Sequence, residues 1–119
     1  MEKVLSVAYL GDAVYELQIR AYLISKGIYD NGELQKQSLS YVSAHSQRKI
    51  MESLINNNIL TDEERELYIK GRNAKGGKSK ASDIITYRMA TGLEYLFGYL
   101  YLNNNYERIE ELVKNIVRL

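Results

Sequence analysis

The chain has no cysteine, no proline and no tryptophan, and it carries one histidine and one phenylalanine in 119 residues. Without cysteine there is no disulfide and no thiolate metal site, which suits a reducing, intracellular setting. With no proline and no strand-like alternation of useful length, the periodic segments read as helices throughout. A single histidine, His45, leaves a histidine-based acid–base mechanism without a partner. No apolar run is long enough to span a bilayer, and the N-terminus lacks the basic, apolar, small-residue order of a signal peptide. The expectation is a cytoplasmic protein with no membrane association.

What is present is ordinary in bulk. Apolar residues make up 45% of the chain and charged residues 26%, as in a globular domain. The length allows one domain, residues 1–119, around one core. The net charge of +1 hides an asymmetry. From Lys70 to Lys80 there are five basic residues and no acid, which leaves eleven basic against fifteen acidic residues elsewhere. Positive charge gathered in one Gly-rich stretch suits an anionic partner.

The first helix is expected from about Val4 to Lys26, stopping at Gly27. A short second helix follows Asp30, with Asp30 and Glu33 spaced as a capping pair. Ser43 reads as the N-cap of a third helix reaching about Asn56. Thr61–Glu64 reads as a capping box for a fourth, ending near Lys70-Gly71. The basic segment is expected to be a loop. A fifth helix is expected over about Ser82–Leu102 and an amphipathic sixth over about Tyr106–Val117. Helices one and five are too apolar for a small monomer to enclose easily, which points to a homodimeric all-α bundle.

Two acids stand in apolar surroundings. Asp12 lies in Leu10-Gly11-Asp12-Ala13-Val14, and Glu94 is the only charged residue between Arg88 and Glu107. A carboxylate is costly to bury unless it is paired, protonated or bound to a metal. Neither acid is near an expected helix end, so capping is not its role. A buried pair with a basic residue remains one reading. The other is a shared cation: Mg²⁺ takes oxygen ligands and keeps several waters, so two protein carboxylates and a phosphate can hold it. Glu16 lies one turn after Asp12 and is read as a partner of Arg20 rather than a further ligand. The basic run is either a solvated loop or a phosphate grip, with Arg72, Lys75, Lys78 and Lys80 as the charged contacts and Asn73 as a polar one. Its glycines do not make a Walker loop, which argues against a nucleotide triphosphatase.

Leu10-Gly11-Asp12-Ala13-Val14 resembles the signature helix of the ribonuclease III family, and Glu94-Tyr95-Leu96-Phe97-Gly98 resembles its second acidic motif. Val42-Ser43-Ala44, Gly71-Arg72-Asn73-Ala74-Lys75, and Thr86-Tyr87-Arg88 followed by Thr91 and Glu94 resemble Mini-ribonuclease III, the small branch without a double-stranded-RNA-binding domain. The resemblance covers essentially the whole chain. It implies a ribonuclease III-like, homodimeric helical endonuclease domain that cuts double-stranded RNA and leaves 5′-phosphate and 3′-hydroxyl ends. It implies Mg²⁺, with Mn²⁺ as a substitute, held by Asp12 and Glu94 as the catalytic pair. It implies a role in maturing the large-subunit (23S) ribosomal RNA precursor, with a ribosomal protein as a candidate assistant.

Tyr87 and Arg88, just before the turn of Glu94, join the expected RNA contacts. Other acids of full-length ribonuclease III are absent here: Leu5, Ala8 and Thr91 stand in their places, as in the Mini branch. Thr91 is either a holder of metal-bound water or a hydroxyl bonded back to its own helix. The rival readings are a catalytically silent double-stranded-RNA-binding homodimer and a helical dimerisation module without nucleic acid.

Overall fold

A computed structural model describes residues 3–74 and 83–119. Lys75, Lys78, Lys80 and Ser82 lie outside the described residues. Among those described, the chain forms six helices and no strand: α1 (Val4–Ser25), α2 (Asn31–Val42), α3 (Ala44–Asn56), α4 (Asp62–Arg72), α5 (Ile84–Leu102) and α6 (Tyr106–Val117).

The ends of these helices follow local chemistry. Gly27 closes α1 with a left-handed φ of 89°, a conformation in which a side chain is strained. Asp30 accepts the Glu33 N–H at 2.9 Å, and Ser43 accepts the Ser46 N–H at 3.1 Å. Thr61 and Glu64 form the full capping box: the Glu64 N–H donates to Thr61 Oγ1 at 3.1 Å, and the Thr61 N–H donates to Glu64 Oε1 at 2.9 Å. Two boundaries differ from the sequence expectation. α4 continues through Gly71 to Arg72, so Lys70, Gly71 and Arg72 are helical rather than part of a loop. Gly71 is buried there because it packs on α5, where its Cβ would meet Tyr95 and Gly92. α5 starts at Ile84, because Asp83 takes the cap position and accepts the Thr86 N–H at 2.8 Å.

α5 runs through the middle, packed against α1, α4 and α3. Leu93, Tyr95, Leu96 and Phe97 have no exposed surface, and burying side chains of this size contributes about 1.5–3 kcal/mol each. Two glycines bring α1 and α5 into backbone contact. A Cβ on Gly11 would fall on the carbonyl of Glu94, and a Cβ on Gly98 would fall on the carbonyl of Val7. α6 closes the core with Ile109, Leu112, Val113 and Ile116.

The outer side of α1 stays bare. Tyr9 is 83% exposed, Leu17 64% and Ile24 46%, and Ala13 is exposed on the same stripe.

Candidate active site

Asp12 sits mid-way along α1 and Glu94 mid-way along α5. The α1–α5 crossing at Gly11 and Gly98 sets their separation: Asp12 follows Gly11, which lies on the backbone of Glu94 itself. Both carboxyls line one open cleft of about 430 Å³, with Glu16, Val42, Ala44, Gln47, Tyr87, Ala90 and Thr91 around them.

The electrostatics of this cleft are unfavourable to an empty pair of anions. Burial pushes the Glu94 carboxyl up to about 8, and Asp12 adds to this by its charge and by a side-chain hydrogen bond between the two acids. The Gln47 amide works the other way, towards the ionised form. Neither Asp12 nor Glu94 makes an ion pair with a basic side chain among the described residues. The reading as a buried pair with a base finds no partner among the described residues.

Glu64 supplies the contrast. It is only 6% exposed, and Arg108 meets both of its oxygens at 2.8 Å while also donating to the Ile59 carbonyl at 2.9 Å. Burial alone would raise the Glu64 carboxyl; the Arg108 and Thr61 hydrogen bonds outweigh it and hold the group below its ordinary value. Glu64 is thus satisfied within the fold, whereas the Asp12–Glu94 pair meets no base among the described residues.

The donor set fits a hard divalent ion. Two carboxylates converge in a water-accessible cleft with no cationic side chain among the described residues, and such oxygens match Mg²⁺ or Mn²⁺. No cluster of three His, Cys, Asp or Glu side chains suited to a metal forms among the described residues. Glu16 lines the cleft but is paired with Arg20 at 3.5 Å, as its spacing suggests. The Thr91 hydroxyl donates to the Tyr87 carbonyl at 2.9 Å, the back-bonded arrangement.

The other candidates are more scattered. Tyr87 is half-buried in the cleft wall, whereas Arg88 is exposed and does not line it. Arg72 and Asn73 close the end of α4. Arg72 lies over the Tyr68 ring at 5.8 Å and donates to Asn73 Oδ1 at 3.3 Å. His45 is exposed and sits apart from the carboxylates, beside Tyr41 and Lys49. Gln47 is a cleft residue that sequence reasoning does not single out. Its one signal is its place in the stripe Gln47, Ile50, Met51 and Leu54, the buried face of α3.

The profile of the Ribonuclease III domain matches residues 5–105. The chain is 46% identical to the Mini-ribonuclease 3 of Enterococcus faecalis over 110 residues, which is 92% of this chain and 83% of that one. It is 41% identical to the Mini-ribonuclease 3 of Streptococcus pneumoniae, again over 110 residues, covering 92% and 86% of the two chains. The X-ray structure of a protein from Fusobacterium nucleatum matches with a TM-score of 0.85 at 29% identity, covering 98% of this chain and 94% of that one. The chain therefore belongs to the ribonuclease III family and is an endoribonuclease. Within that family it falls with the Mini-ribonuclease III branch.

Proposed function

We propose that this endoribonuclease cuts double-stranded RNA with Mg²⁺, that Mn²⁺ substitutes, and that the acting form is a homodimer of single catalytic domains. The observation that carries this reading is the Asp12–Glu94 pair, converging in an open cleft with no cationic side chain among the described residues. Asp12 and Glu94 would hold the ion, and a third, phosphate oxygen would come from the substrate. When bound, such an ion neutralises charge on a phosphodiester and activates a water, giving 5′-phosphate and 3′-hydroxyl ends.

The chain's own residues orient the duplex. Tyr87 stands at the cleft wall. Arg72, Asn73 and Arg88, with Lys75, Lys78 and Lys80, supply contacts to backbone phosphates and 2′-hydroxyls across the wide minor groove of A-form RNA. The bare stripe of Tyr9, Ala13, Leu17 and Ile24 on α1 supports the homodimer. The proposed substrate in the cell is the large-subunit ribosomal RNA precursor, processed in the cytoplasm, with a ribosomal protein as a candidate helper. No described helix is long and apolar enough to cross a membrane.

The test is incubation of the purified protein with a long RNA duplex in Mg²⁺, beside Asp12→Asn and an EDTA control. Metal-dependent cleavage by the wild type alone is expected. Salt-sensitive binding without cleavage, across Mg²⁺ and Mn²⁺ concentrations, would instead support a silent RNA-binding homodimer.

A further inference from the structure

We propose that Gln47 is a positioning residue whose side-chain amide holds the Glu94 carboxylate in the orientation that meets Asp12 at the cation site. The proposal rests on the metal reading above.

Gln47 is the one polar member of the buried face of α3 and is 2% exposed. Burying an amide without full partners is costly, so packing alone would favour leucine or methionine here. The amide's orientation is fixed by the chain. α2 ends at Val42 and Ser43 begins the cap of α3, and the Val42 carbonyl at this corner accepts from Gln47 Nε2 at 3.1 Å. Reversing the amide would set two oxygens against each other.

A primary amide nitrogen carries two hydrogens. One is used on Val42, and the other is left for Glu94, which lines the same cleft as Gln47. Gln47 thus stands between the α2–α3 corner and the middle of α5. The corner is itself pinned, because the Tyr15 hydroxyl donates to the Tyr41 carbonyl at 2.8 Å. Gln47 Oε1 is buried and has no hydrogen-bond partner among the described residues, a cost that a purely structural side chain would have no reason to carry. Held at the corner in this way, the amide keeps the Glu94 carboxylate aimed at the position an ion would occupy.

The test is Mn²⁺ binding to the RNA-free dimer, followed by electron paramagnetic resonance, with melting curves in parallel. Gln47→Met keeps the volume and removes both hydrogen-bonding groups. It should weaken Mn²⁺ binding about tenfold or more, the usual cost of losing a partner of a metal ligand. In a Glu94→Gln background the same change should alter affinity by less than about twofold, because its effect runs through Glu94. Gln47→Asn, one methylene short of spanning Val42 and Glu94, should show the same loss and covers the possibility that the methionine variant does not fold.

Wild-type affinity in both variants, with only a lower melting temperature, would overturn the proposal and leave Gln47 a packing residue. If wild type binds no Mn²⁺ and Asp12→Asn changes nothing, the metal reading fails instead. The Gln47 side-chain amide resonances then decide the contact alone: they should move in Glu94→Ala, and their staying in place would overturn it.

Discussion

Gly11 of α1 lies against the backbone carbonyl of Glu94 on α5, with no room for a Cβ between them. This contact sets where Asp12 stands, because the next residue along α1 faces the cleft that Glu94 lines. Gly11→Ala should therefore push the two helices apart. Overpacking of this kind costs about 1–3 kcal/mol, occasionally more. Denaturant unfolding should show that loss, and duplex cleavage by the folded fraction should fall by more than about 100-fold, since small displacements at a reacting site are that costly.

Glu94 and Glu64 bias stability in opposite directions with pH. Glu94 is raised to about 8 from an ordinary 4.5, so between those values the folded state binds more protons than the unfolded one. Metal-free protein should lose stability as pH rises through that window. Glu94→Gln should flatten the decline, and added Mg²⁺ should raise the melting temperature more at pH 8 than at pH 5. Melting curves in EDTA and in Mg²⁺ across pH check this. A pH-independent Mg²⁺ effect would speak against the paired acids as its site.

Glu64 behaves in the reverse sense. Its carboxyl lies below 4.5 in the fold, so the stability it contributes is present above that value and is lost as pH falls through its folded pKa. Glu64→Gln should remove part of the acid sensitivity. Glu64→Leu leaves the mostly covered Arg108 with only the exposed Glu111 and the Ile59 carbonyl and should cost about 1–3 kcal/mol by denaturant unfolding. Cleavage by the folded Glu64→Gln protein should stay near wild type, because Glu64 does not line the carboxylate cleft.

Charge on the RNA backbone is read most directly in the salt dependence of binding. In an Asp12→Asn background, Lys75→Ala with Lys78→Ala should weaken duplex binding. The slope of log K against log salt should become shallower by about 0.9 for each phosphate that the variant no longer neutralises. Arg88→Ala should have the effect of about one phosphate. Arg72→Ala should have a smaller effect on binding, since part of that side chain is occupied over Tyr68. A slope unchanged in all of these variants would return the basic stretch to a solvated surface.

The exposed stripe on α1 makes a separate prediction. Leu17 is 64% exposed, so Leu17→Glu should leave the monomer's fold intact. It should dissociate a dimer formed through that face, as light scattering after size exclusion would show. A variant that remains dimeric would place the interface elsewhere.

Much of this fold can be read from local pattern. The Thr61–Glu64 capping box, the Ser43 cap and the Gly27 stop are short-range devices, and each is where its spacing places it. Asp12 and Glu94 are visible because an acid inside an apolar helix has few inexpensive fates. Gln47 and the pairing of Glu64 with Arg108 are not, although Gln47 and Glu64 fall on the buried faces of α3 and α4. A polar residue on such a face looks like an interruption until the partner that satisfies it is known, and that partner lies elsewhere in the chain. The helical end of α4 is hidden for a related reason. Gly71 looks like loop chemistry in sequence, yet it serves the close approach of α4 to α5.

The decisive experiment for Asp12 and Glu94 as a metal-dependent catalytic pair is cleavage of a long RNA duplex by wild type and by Asp12→Asn, each in Mg²⁺ and in EDTA. The wild type in Mg²⁺ should give 5′-phosphorylated fragments, and the other three reactions none. Cleavage by Asp12→Asn at the wild-type rate, or by the wild type in EDTA, would contradict the pair's role.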